Sequence, residues 1–210
     1  MTHSSPLPTQ PEPAWDVSRL FPPQGQWNEE DYLNLPGNRL VELDQGRIEV
    51  LETPSELHQS LVMFLYEVLV TYVRDHQLGK VLVAPLPVKL WDGKMREPDV
   101  MFMHREHYAQ RHENYWRGAD LVMEVVSPND RNRDKIFKRQ EYARAGIPEY
   151  WLVDPSERTV TVLHLPSHSQ EYRVDGFYAL GEEARSPTLA GFEVGLNALF
   201  ADLDDGAFNH

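Results

Sequence analysis

Apolar residues recur at helical spacing in two segments of the chain, and each segment carries helix end signals. The first segment begins at Thr53-Pro54-Ser55-Glu56, which matches a capping box with proline at the first helical position. The apolar stripe that follows predicts a helix ending near His76, and its members are Leu57, Leu61, Leu65, Val68 and Tyr72. A second helix is expected from about Arg131 to Ala145, because Gly146 then supplies a left-handed cap.

Short apolar runs between and after these segments predict strands. Two runs around Asp44-Gln45-Gly46, residues 39–43 and 47–51, indicate a hairpin. Further strands are expected at residues 80–90, 98–103, 121–126, 149–153 and 159–165, and short helices near 28–35 and 196–203. Pro85 and Pro87 indicate an edge strand or a bulge in the 80–90 run. This order of elements predicts an α/β or α+β fold with a mixed sheet flanked by helices.

Prolines set the beginning of the chain apart from the rest. Six of them lie within residues 1–25, which is too many for a helix or a central strand. We therefore expect a tail over residues 1–25 that is extended or disordered. Residues 26–210 are enough for a single domain with its own core, and no internal repeat divides them.

The composition excludes several kinds of chemistry. The chain of 210 residues has no cysteine, which rules out thiol catalysis, disulfide bonds and thiolate metal sites. The lack of thiols also suits a reducing cytoplasm, where we expect the protein to reside. Residues 1–25 lack the regions of a signal peptide, and no stretch reaches the roughly 20 apolar residues of a membrane-spanning helix.

The charge balance is strongly acidic, with one basic segment. The net charge is −13, from 20 Lys and Arg against 33 Asp and Glu, which argues against a protein that coats nucleic acid generally. Residues 129–144 reverse the balance locally, with six basic and three acidic residues. Arg131, Arg133 and Lys135 are therefore candidate contacts to nucleic acid, although a solvated helix face with mixed charges would have the same composition.

One carboxylate falls inside an apolar run. Glu124 follows Leu121-Val122-Met123 in a predicted buried strand, where a lone charge costs several kcal/mol. Such a group usually has a cationic partner, a metal or a raised pKa. Asp99 begins another short strand, and two carboxylates from two strands form the kind of oxygen site that Mg²⁺ or Mn²⁺ prefers. Alternatively, Glu124 pairs with an Arg or Lys and only orients the fold.

Longer motifs around these carboxylates resemble a known family. They are EPDVMFM, the stretch from ADLVMEVVSPNDRNRDKIFKRQEYARAG to PEYWLVDPSERTVTVLHL, and the closing SPTLAGFEVGLNALF. The upstream LVELDQGRIEVLETPSELHQSLV matches as well. Over roughly residues 29–202, the chain resembles the Uma-type restriction endonuclease family of the PD-(D/E)XK nuclease superfamily. This resemblance implies a restriction-endonuclease-like fold and a metal-dependent phosphodiesterase site.

The resemblance also implies roles for individual residues. Asp99 and Glu124 match the two acidic residues of the motif, as catalytic residues and metal ligands. The lysine expected two positions after the second acid is absent, because Val126 stands there. In this family it is displaced to the following helix, where Lys138 stands. Alternatively, Lys138 forms an i,i+4 pair with Asp134 on an exposed helix face, worth only about 0.3–0.5 kcal/mol.

Three further residues are possible supporting groups of this site. Tyr142 lies one turn after the displaced lysine, and Glu49 and His58 match polar positions of the family's first half. A zinc site at His104, His107 and His112 is a weaker idea, since no helical spacing or apolar shell supports it.

The sequence thus predicts a Mg²⁺- or Mn²⁺-dependent endonuclease, acting on DNA. A homodimer is expected by analogy, since nucleases that cut both strands often pair two sites. A rival of another class is a binding or regulatory module that keeps the fold without turnover, which the acidic charge and the missing adjacent lysine favour. A third alternative is a metal-dependent phosphohydrolase acting on small substrates.

Overall fold

The computed structural model describes residues 21–35, 40–128 and 131–203. Most of the predicted tail over residues 1–25 lies outside these ranges, as do the last residues of the predicted domain. The α-helices of the described ranges are α1 (Glu29–Leu33), α2 (Glu56–Asp75), α3 (Arg139–Arg144) and α4 (Leu196–Leu199). Other helical turns are 3₁₀ segments at Arg105–Gln110 and Ala201–Leu203 and a π-helix at Arg133–Lys138.

The strands form three sheets in the described part of the chain. They are β1 (Val41–Asp44), β2 (Arg47–Val50), β3 (Gly79–Val83), β4 (Val88–Trp91), β5 (Lys94–Arg96), β6 (Val100–His104), β7 (Trp116–Arg117), β8 (Leu121–Val125), β9 (Glu149–Asp154), β10 (Thr159–His164), β11 (Arg173–Tyr178), β12 (Glu183–Arg185) and β13 (Glu193–Gly195). The largest sheet has the order β11-β10-β9-β8-β6-β3, and a second has the order β2-β1-β5-β4-β7. Each contains one parallel pair among antiparallel ones, β8–β9 and β4–β7. The predicted mixed α+β fold with flanking helices is therefore confirmed.

Helix α2 covers one face of the six-stranded sheet. Its buried residues Leu61, Leu65 and Leu69 recur every four positions. They pack on the side chains that β6 and β8 direct toward the helix, such as Phe102 and Met123. Burying each such leucine contributes about 1.5–3 kcal/mol. The predicted helix is thus confirmed, and its apolar stripe is the reason for its position.

The start of α2 differs from the prediction. Ser55, not Thr53, is the N-cap, and its side chain accepts a hydrogen bond from the backbone of His58. The helix begins at Glu56, so Pro54 precedes it rather than opening it. The hydroxyl three residues before His58 satisfies a free amide of the first turn, and this fixes where the helix begins.

The predicted strand over residues 80–90 is two strands. Strand β3 ends at Val83 and β4 begins at Val88. Pro85 and Pro87 lie between them and have no amide to donate to a ladder. The chain leaves the six-stranded sheet here and enters the five-stranded one.

The predicted helix over residues 131–145 is also not uniform. A π-helix occupies Arg133–Lys138 and an α-helix follows at Arg139–Arg144. Asp134 and Lys138 both point inward and are buried. The wider turn of a π-helix changes which side chains face the core, and such turns occur often at functional sites.

The second face of the six-stranded sheet receives this helical segment. Met101, Met103, Val122 and Tyr150 of the sheet pack with Tyr142 of α3 in a separate apolar cluster. Since side chains alternate along a strand, Glu124 lies on the same face as Val122. Within the described ranges, no helix is both long and apolar enough to cross a membrane.

Candidate active site

Strands β6 and β8 bring the two predicted carboxylates together. Val100 lies opposite Met123, so the next positions along the pair are Asp99 and Glu124. Side chains directly opposite in an antiparallel pair share a face, with Cβ atoms about 4.5–5.5 Å apart. The backbone amide of Val125 donates to Asp99 Oδ2 at 2.8 Å and holds that carboxylate in place.

Glu124 is buried and has two described partners. Its Oε1 accepts a hydrogen bond from the Tyr142 hydroxyl at 2.6 Å and lies 2.9 Å from Lys138 Nζ. The structure therefore brings the predicted Lys138 and Tyr142 to the predicted carboxylate. The contact between Glu124 and Lys138 is also the ion pair that the alternative interpretation of Glu124 expected.

The Lys138 ammonium lies among three carboxylates. It is 2.9 Å from Glu124, 3.3 Å from Asp134 Oδ1 and 3.9 Å from Glu42 Oε1. The i,i+4 pair with Asp134 therefore exists, but both side chains are only 7% exposed and do not form the exposed helix face considered above. Burial opposes the charge of Lys138, but the carboxylates outweigh it and raise the pKa of the ammonium, so the group stays protonated.

Two carboxylates of the site have raised pKa values. Burial, together with the charges of Asp99 and Asp134, raises the pKa of Glu124 to about 8, although Lys138 acts in the opposite direction. Burial likewise raises the pKa of Asp134. A raised carboxylate pKa means that the ionised form is disfavoured as the site stands. An additional cation would therefore stabilise the ionised carboxylates.

His58 connects the beginning of α2 to this site. Its Nε2 lies 3.3 Å from Asp99 Oδ2. Burial alone would lower the pKa of His58, but the hydrogen bond and charge of Asp99, with the charge of Asp134, raise it. Its Nδ1 is buried and has no hydrogen-bond partner among the described residues. His58 thus fixes the orientation of Asp99, and the sequence did place it among the supporting groups.

Glu49 does not touch Asp99 or Glu124. It lies opposite Glu42 in the β1–β2 pair, 2.6 Å from Arg96 Nη1 and 2.9 Å from Arg133 Nη2. It therefore belongs to a neighbouring ion network rather than to the pair of carboxylates.

That network contains a residue that the sequence interpretation missed. Glu42 is fully buried, accepts from Arg96 Nη1 at 2.7 Å, pairs with Arg133 and faces Lys138. Burial would raise its pKa, but Lys138, Arg96 and Arg133 together lower the pKa of Glu42 to about 2. No local pattern points to Glu42, because its partners Arg96 and Arg133 lie 54 and 91 positions later in the chain.

The network joins α3 to the five-stranded sheet. Glu141 of α3 accepts from Arg96 Nε at 2.7 Å and lies 2.5 Å from Lys94 Nζ. Lys94 also pairs with Asp44 at 2.8 Å. The hairpin, β5 and the helix that carries Tyr142 are held together by these buried charges.

The three candidate nucleic-acid contacts all have acidic partners. Arg131 lies 2.7 Å and Lys135 2.5 Å from Asp154 Oδ2. Arg133 pairs with Glu42 and Glu49. Their role in binding nucleic acid stays a prediction, and each would have to share or leave its carboxylate to contact a phosphate.

The contacts of His104, His107 and His112 do not support the hypothesis of a zinc site. His107 Nδ1 is 2.7 Å from Asp120 Oδ1, and the backbone amide of His104 donates to the same carboxylate. The ring of His112 instead stacks on Tyr115. In the ranges described, no three or more His, Cys, Asp or Glu side chains are grouped to hold a metal ion.

Comparison with known proteins extends these observations. A solved structure described as "a putative nuclease belonging to DUF820", from Anabaena variabilis, is similar with a TM-score of 0.67 and 17% sequence identity. The similarity covers 83% of this chain and 98% of that chain, and at this identity it shows a shared fold. No curated protein matches this sequence.

A family model matches most of the chain. The family is Uma2, described as "Putative restriction endonuclease", and the match spans residues 29–199. This range includes Asp99 and the β6 strand that it precedes, the strand of Glu124, the helix of His58 and the helical segment of Lys138. The chain therefore belongs to the Uma2 family, as its motifs indicated.

Proposed function

We propose that the protein is a divalent-metal-dependent endonuclease that hydrolyses phosphodiester bonds in DNA. Family membership and the nuclease-like fold support nuclease activity in general. The observation that carries the finer proposal is the buried Glu124 beside Asp99, with the Lys138 ammonium 2.9 Å from it. Acids and a lysine in such contact are suited to phosphoryl chemistry, in which positioning and charge stabilisation do most of the work.

The donor set fits Mg²⁺ or Mn²⁺. Asp99 and Glu124 offer carboxylate oxygens only, the ligand type that these ions prefer. Mg²⁺ is usually held by one or two carboxylates together with waters and substrate phosphates, so a preformed group of three protein ligands is not required. Burial, with the neighbouring Asp99 and Asp134, raises the pKa of Glu124, and a cation bound beside this carboxylate would stabilise its ionised form.

The residues would then divide the chemistry as follows. Asp99 and Glu124 would hold the ion, which supplies Lewis acidity and activates water for attack on phosphorus. Lys138 keeps its proton, because its pKa is raised, and stabilises charge on the phosphate instead of acting as a base. Tyr142 and His58 each fix one carboxylate through a single hydrogen-bonding contact.

A binding module without turnover is the second candidate. It is favoured by the pairing of Lys138 with three carboxylates and by the acidic partners of Arg131, Arg133 and Lys135. A plasmid-nicking assay with and without Mn²⁺ separates the two candidates. Nicking that needs Mn²⁺ and is lost in Glu124→Gln supports the endonuclease. DNA binding without nicking in any divalent ion supports the module. A homodimer stays a prediction, measured by the mass of the protein in solution.

Mn²⁺ binding is expected to require Asp99. Calorimetry should detect binding to the wild type and little or none to Asp99→Asn, because one of the two carboxylate ligands has been lost. Asp120→Asn is the matched control, since this carboxylate directly precedes β8 at the other end of the β6–β8 pair and contacts His104 and His107. Unchanged Mn²⁺ binding in Asp99→Asn would place the ion elsewhere.

A further inference from the structure

Three neighbouring strands of the six-stranded sheet carry a carboxylate at the same end. Asp99 directly precedes β6, Glu124 lies near the end of β8, and Asp154 is the last residue of β9. Because β6 is antiparallel to β8 and β9 is parallel to it, these three positions meet at one end of the sheet. Asp99 and Glu124 form the proposed metal site, and Asp154 has no role in it.

Asp154 also lies on the face of the sheet that carries Glu124. In the parallel pair Glu124 is opposite Leu152, and Asp154 is two residues further along the same strand. Side chains two positions apart share a face, and Leu152 belongs to the same apolar cluster as Val122 of β8. One strand spacing across the sheet and two residues along it place the Cα atoms of Asp154 and Glu124 about 8 Å apart. Asp154 is therefore a neighbour of the proposed active site.

Asp154 binds two cations through one carboxylate oxygen. Its Oδ2 lies 2.7 Å from Arg131 Nη2 and 2.5 Å from Lys135 Nζ. Its Oδ1 accepts hydrogen bonds from the Ser156 hydroxyl at 2.7 Å and from the backbone amides of Ser156 and Glu157 at 3.1 and 3.3 Å. The residue is buried, and the turn after β9 holds the carboxylate in place. It therefore fixes the direction of both cations.

Both cations retain donors for a further anion. The side chains of Arg131 and Lys135 are 34% and 38% exposed, and a guanidinium offers five donors and an ammonium three. Arg131 also donates to the Ser156 hydroxyl and lies 3.6 Å from Glu157 Oε1. Among the described residues, Glu157 is the other acid within ion-pair distance of the two cations, and its exposed side chain makes this pair weak. A phosphate can therefore be contacted while both cations keep their contact with Asp154.

We infer that Arg131 and Lys135 bind one backbone phosphate of the nucleic acid, and that Asp154 is the residue that positions them. The choice of ligand rests on the nuclease function proposed above. Lys135 belongs to the same helical segment as Lys138, which lies 2.9 Å from Glu124. Each nucleotide advances a DNA strand by about 3.4 Å, so a separation of about 8 Å places this phosphate two or three nucleotides from the bond at the active site.

Arg133, the third candidate contact of this segment, is bound differently. Its Nη2 pairs with two carboxylates, Glu42 and Glu49, and Glu42 is fully buried. Contact with a phosphate would draw Arg133 out of the ion network that also contains Arg96. We therefore assign the phosphate to Arg131 and Lys135 alone.

The first test compares two variants that each lose one lysine and one arginine. They are Arg131→Gln/Lys135→Gln and the control Lys80→Gln/Arg173→Gln, whose residues are exposed on the two edge strands at the other end of the sheet. Fluorescence anisotropy measures binding of a duplex DNA, with Ca²⁺ in place of the catalytic ion, over a series of salt concentrations. Arg131→Gln/Lys135→Gln should bind about tenfold more weakly, with a slope of log K against log salt that is shallower by about 0.9 for one lost phosphate. The control should keep the wild-type slope.

A second test separates positioning of the cations from simple neutralisation. Asp154→Asn removes a negative charge, so a carboxylate that only neutralised its partners would leave the variant with tighter DNA binding. A positioning role predicts weaker binding despite the added charge, because Arg131 and Lys135 lose their fixed directions. Glu157→Gln is the matched control, since it removes an exposed acid from the same cluster and should bind at least as tightly as the wild type. Melting temperatures confirm that both variants are folded, and the first test does not depend on Asp154→Asn.

Several results would count against these assignments. Equal salt slopes for the wild type and Arg131→Gln/Lys135→Gln would overturn the inference. An equal loss in Lys80→Gln/Arg173→Gln would overturn it as well, because it would show a general charge effect. Tighter binding by folded Asp154→Asn would overturn the positioning role. A wild type that does not bind duplex DNA would overturn the phosphate contact directly.

Cleavage is measured separately so that the two proposals fail in different ways. Arg131→Gln/Lys135→Gln should raise KM for DNA far more than it lowers kcat, because the lost contact binds substrate and transition state equally. DNA binding that depends on these two cations, without cleavage in any divalent ion, would refute the endonuclease and support the phosphate contact. Cleavage with a wild-type KM in this variant would refute the phosphate contact alone.

Discussion

Lys138→Met is expected to lower kcat for DNA nicking by about 10²- to 10³-fold, the usual cost of removing one group that stabilises transition-state charge. The ammonium lies 2.9 Å from Glu124, where the scissile phosphate would be held. Its raised pKa keeps it charged, so the substitution removes a fixed positive charge from a buried site. Such a charge stabilises the transition state more than the bound substrate, so kcat should fall while KM for DNA changes little.

Two further variants separate catalysis from folding. Asp134→Asn leaves the Lys138–Glu124 contact in place but removes the charge of the i,i+4 partner, and its single oxygen can accept from either Ser127 or Lys138. Its effect on kcat should be much smaller. Lys138→Arg keeps the positive charge that three carboxylates surround, and it should melt closer to the wild type than Lys138→Met does. Melting temperatures confirm that each assay is run on folded protein.

Equal and small effects of Lys138→Met and Asp134→Asn on kcat would contradict a catalytic role for Lys138. The lysine would then serve only to neutralise its buried carboxylates. A large loss of kcat in Lys138→Met, with wild-type rates in Asp134→Asn, would instead place the function in the Lys138–Glu124 contact.

Local sequence patterns predicted the two strands of the site, because the residues next to Asp99 and Glu124 are enough to indicate a strand. The apolar run around Glu124 defined a buried strand, and the short run after Asp99 defined its neighbour. Their pairing then followed from the antiparallel register. Lys138 and Tyr142 were predicted from a family motif, because nothing local shows that their helical segment folds back onto β8.

The residues that were missed depend on contacts between distant segments. Glu42 reaches Arg96, 54 positions later, and Arg133, 91 positions later. In the sequence, Glu42 looks like the exposed position of an alternating hairpin strand. Its burial results from the docking of β5 and the π-helix on that hairpin, which no local pattern describes.

The errors at element ends have a similar cause. Thr53 and Ser55 are both acceptable N-caps by residue type, and the sequence does not show which hydroxyl accepts a first-turn amide; in the structure it is Ser55. The π-helix at Arg133–Lys138 adds a residue to a turn, which an apolar stripe of period 3.6 does not reveal. Element type was therefore easier to predict than the direction of individual side chains.

Glu42→Gln is expected to reduce the free energy of unfolding by about 3–5 kcal/mol at neutral pH, the cost of removing one partner from a buried ion pair. Glu42 is fully buried, and Arg96, Arg133 and Lys138 all face it. Glutamine keeps the size and one acceptor but leaves these cations with less compensating charge. Urea denaturation of both proteins measures the difference.

The pH dependence of this difference identifies its cause. The pKa of Glu42 is lowered from 4.5 to about 2, so the stability that its charge contributes is complete above pH 4.5. It should be lost as the pH falls through 2, where the wild type becomes protonated and resembles the variant. The gap between wild type and Glu42→Gln should therefore narrow between these two values.

Glu49→Gln is the matched control, because Glu49 lies opposite Glu42 and contacts Arg96 and Arg133 as well. Its side chain is 33% exposed, and water can replace its charge, so its loss should cost no more than about 1 kcal/mol. Equal losses of unfolding free energy in the two variants would mean that Arg96 and Arg133 require two acidic partners, whether those partners are buried or exposed. A loss in Glu42→Gln that persists unchanged at low pH would assign the effect to packing. Only a large, pH-dependent loss confined to Glu42 supports a buried charge network that holds Lys138 and α3 in place.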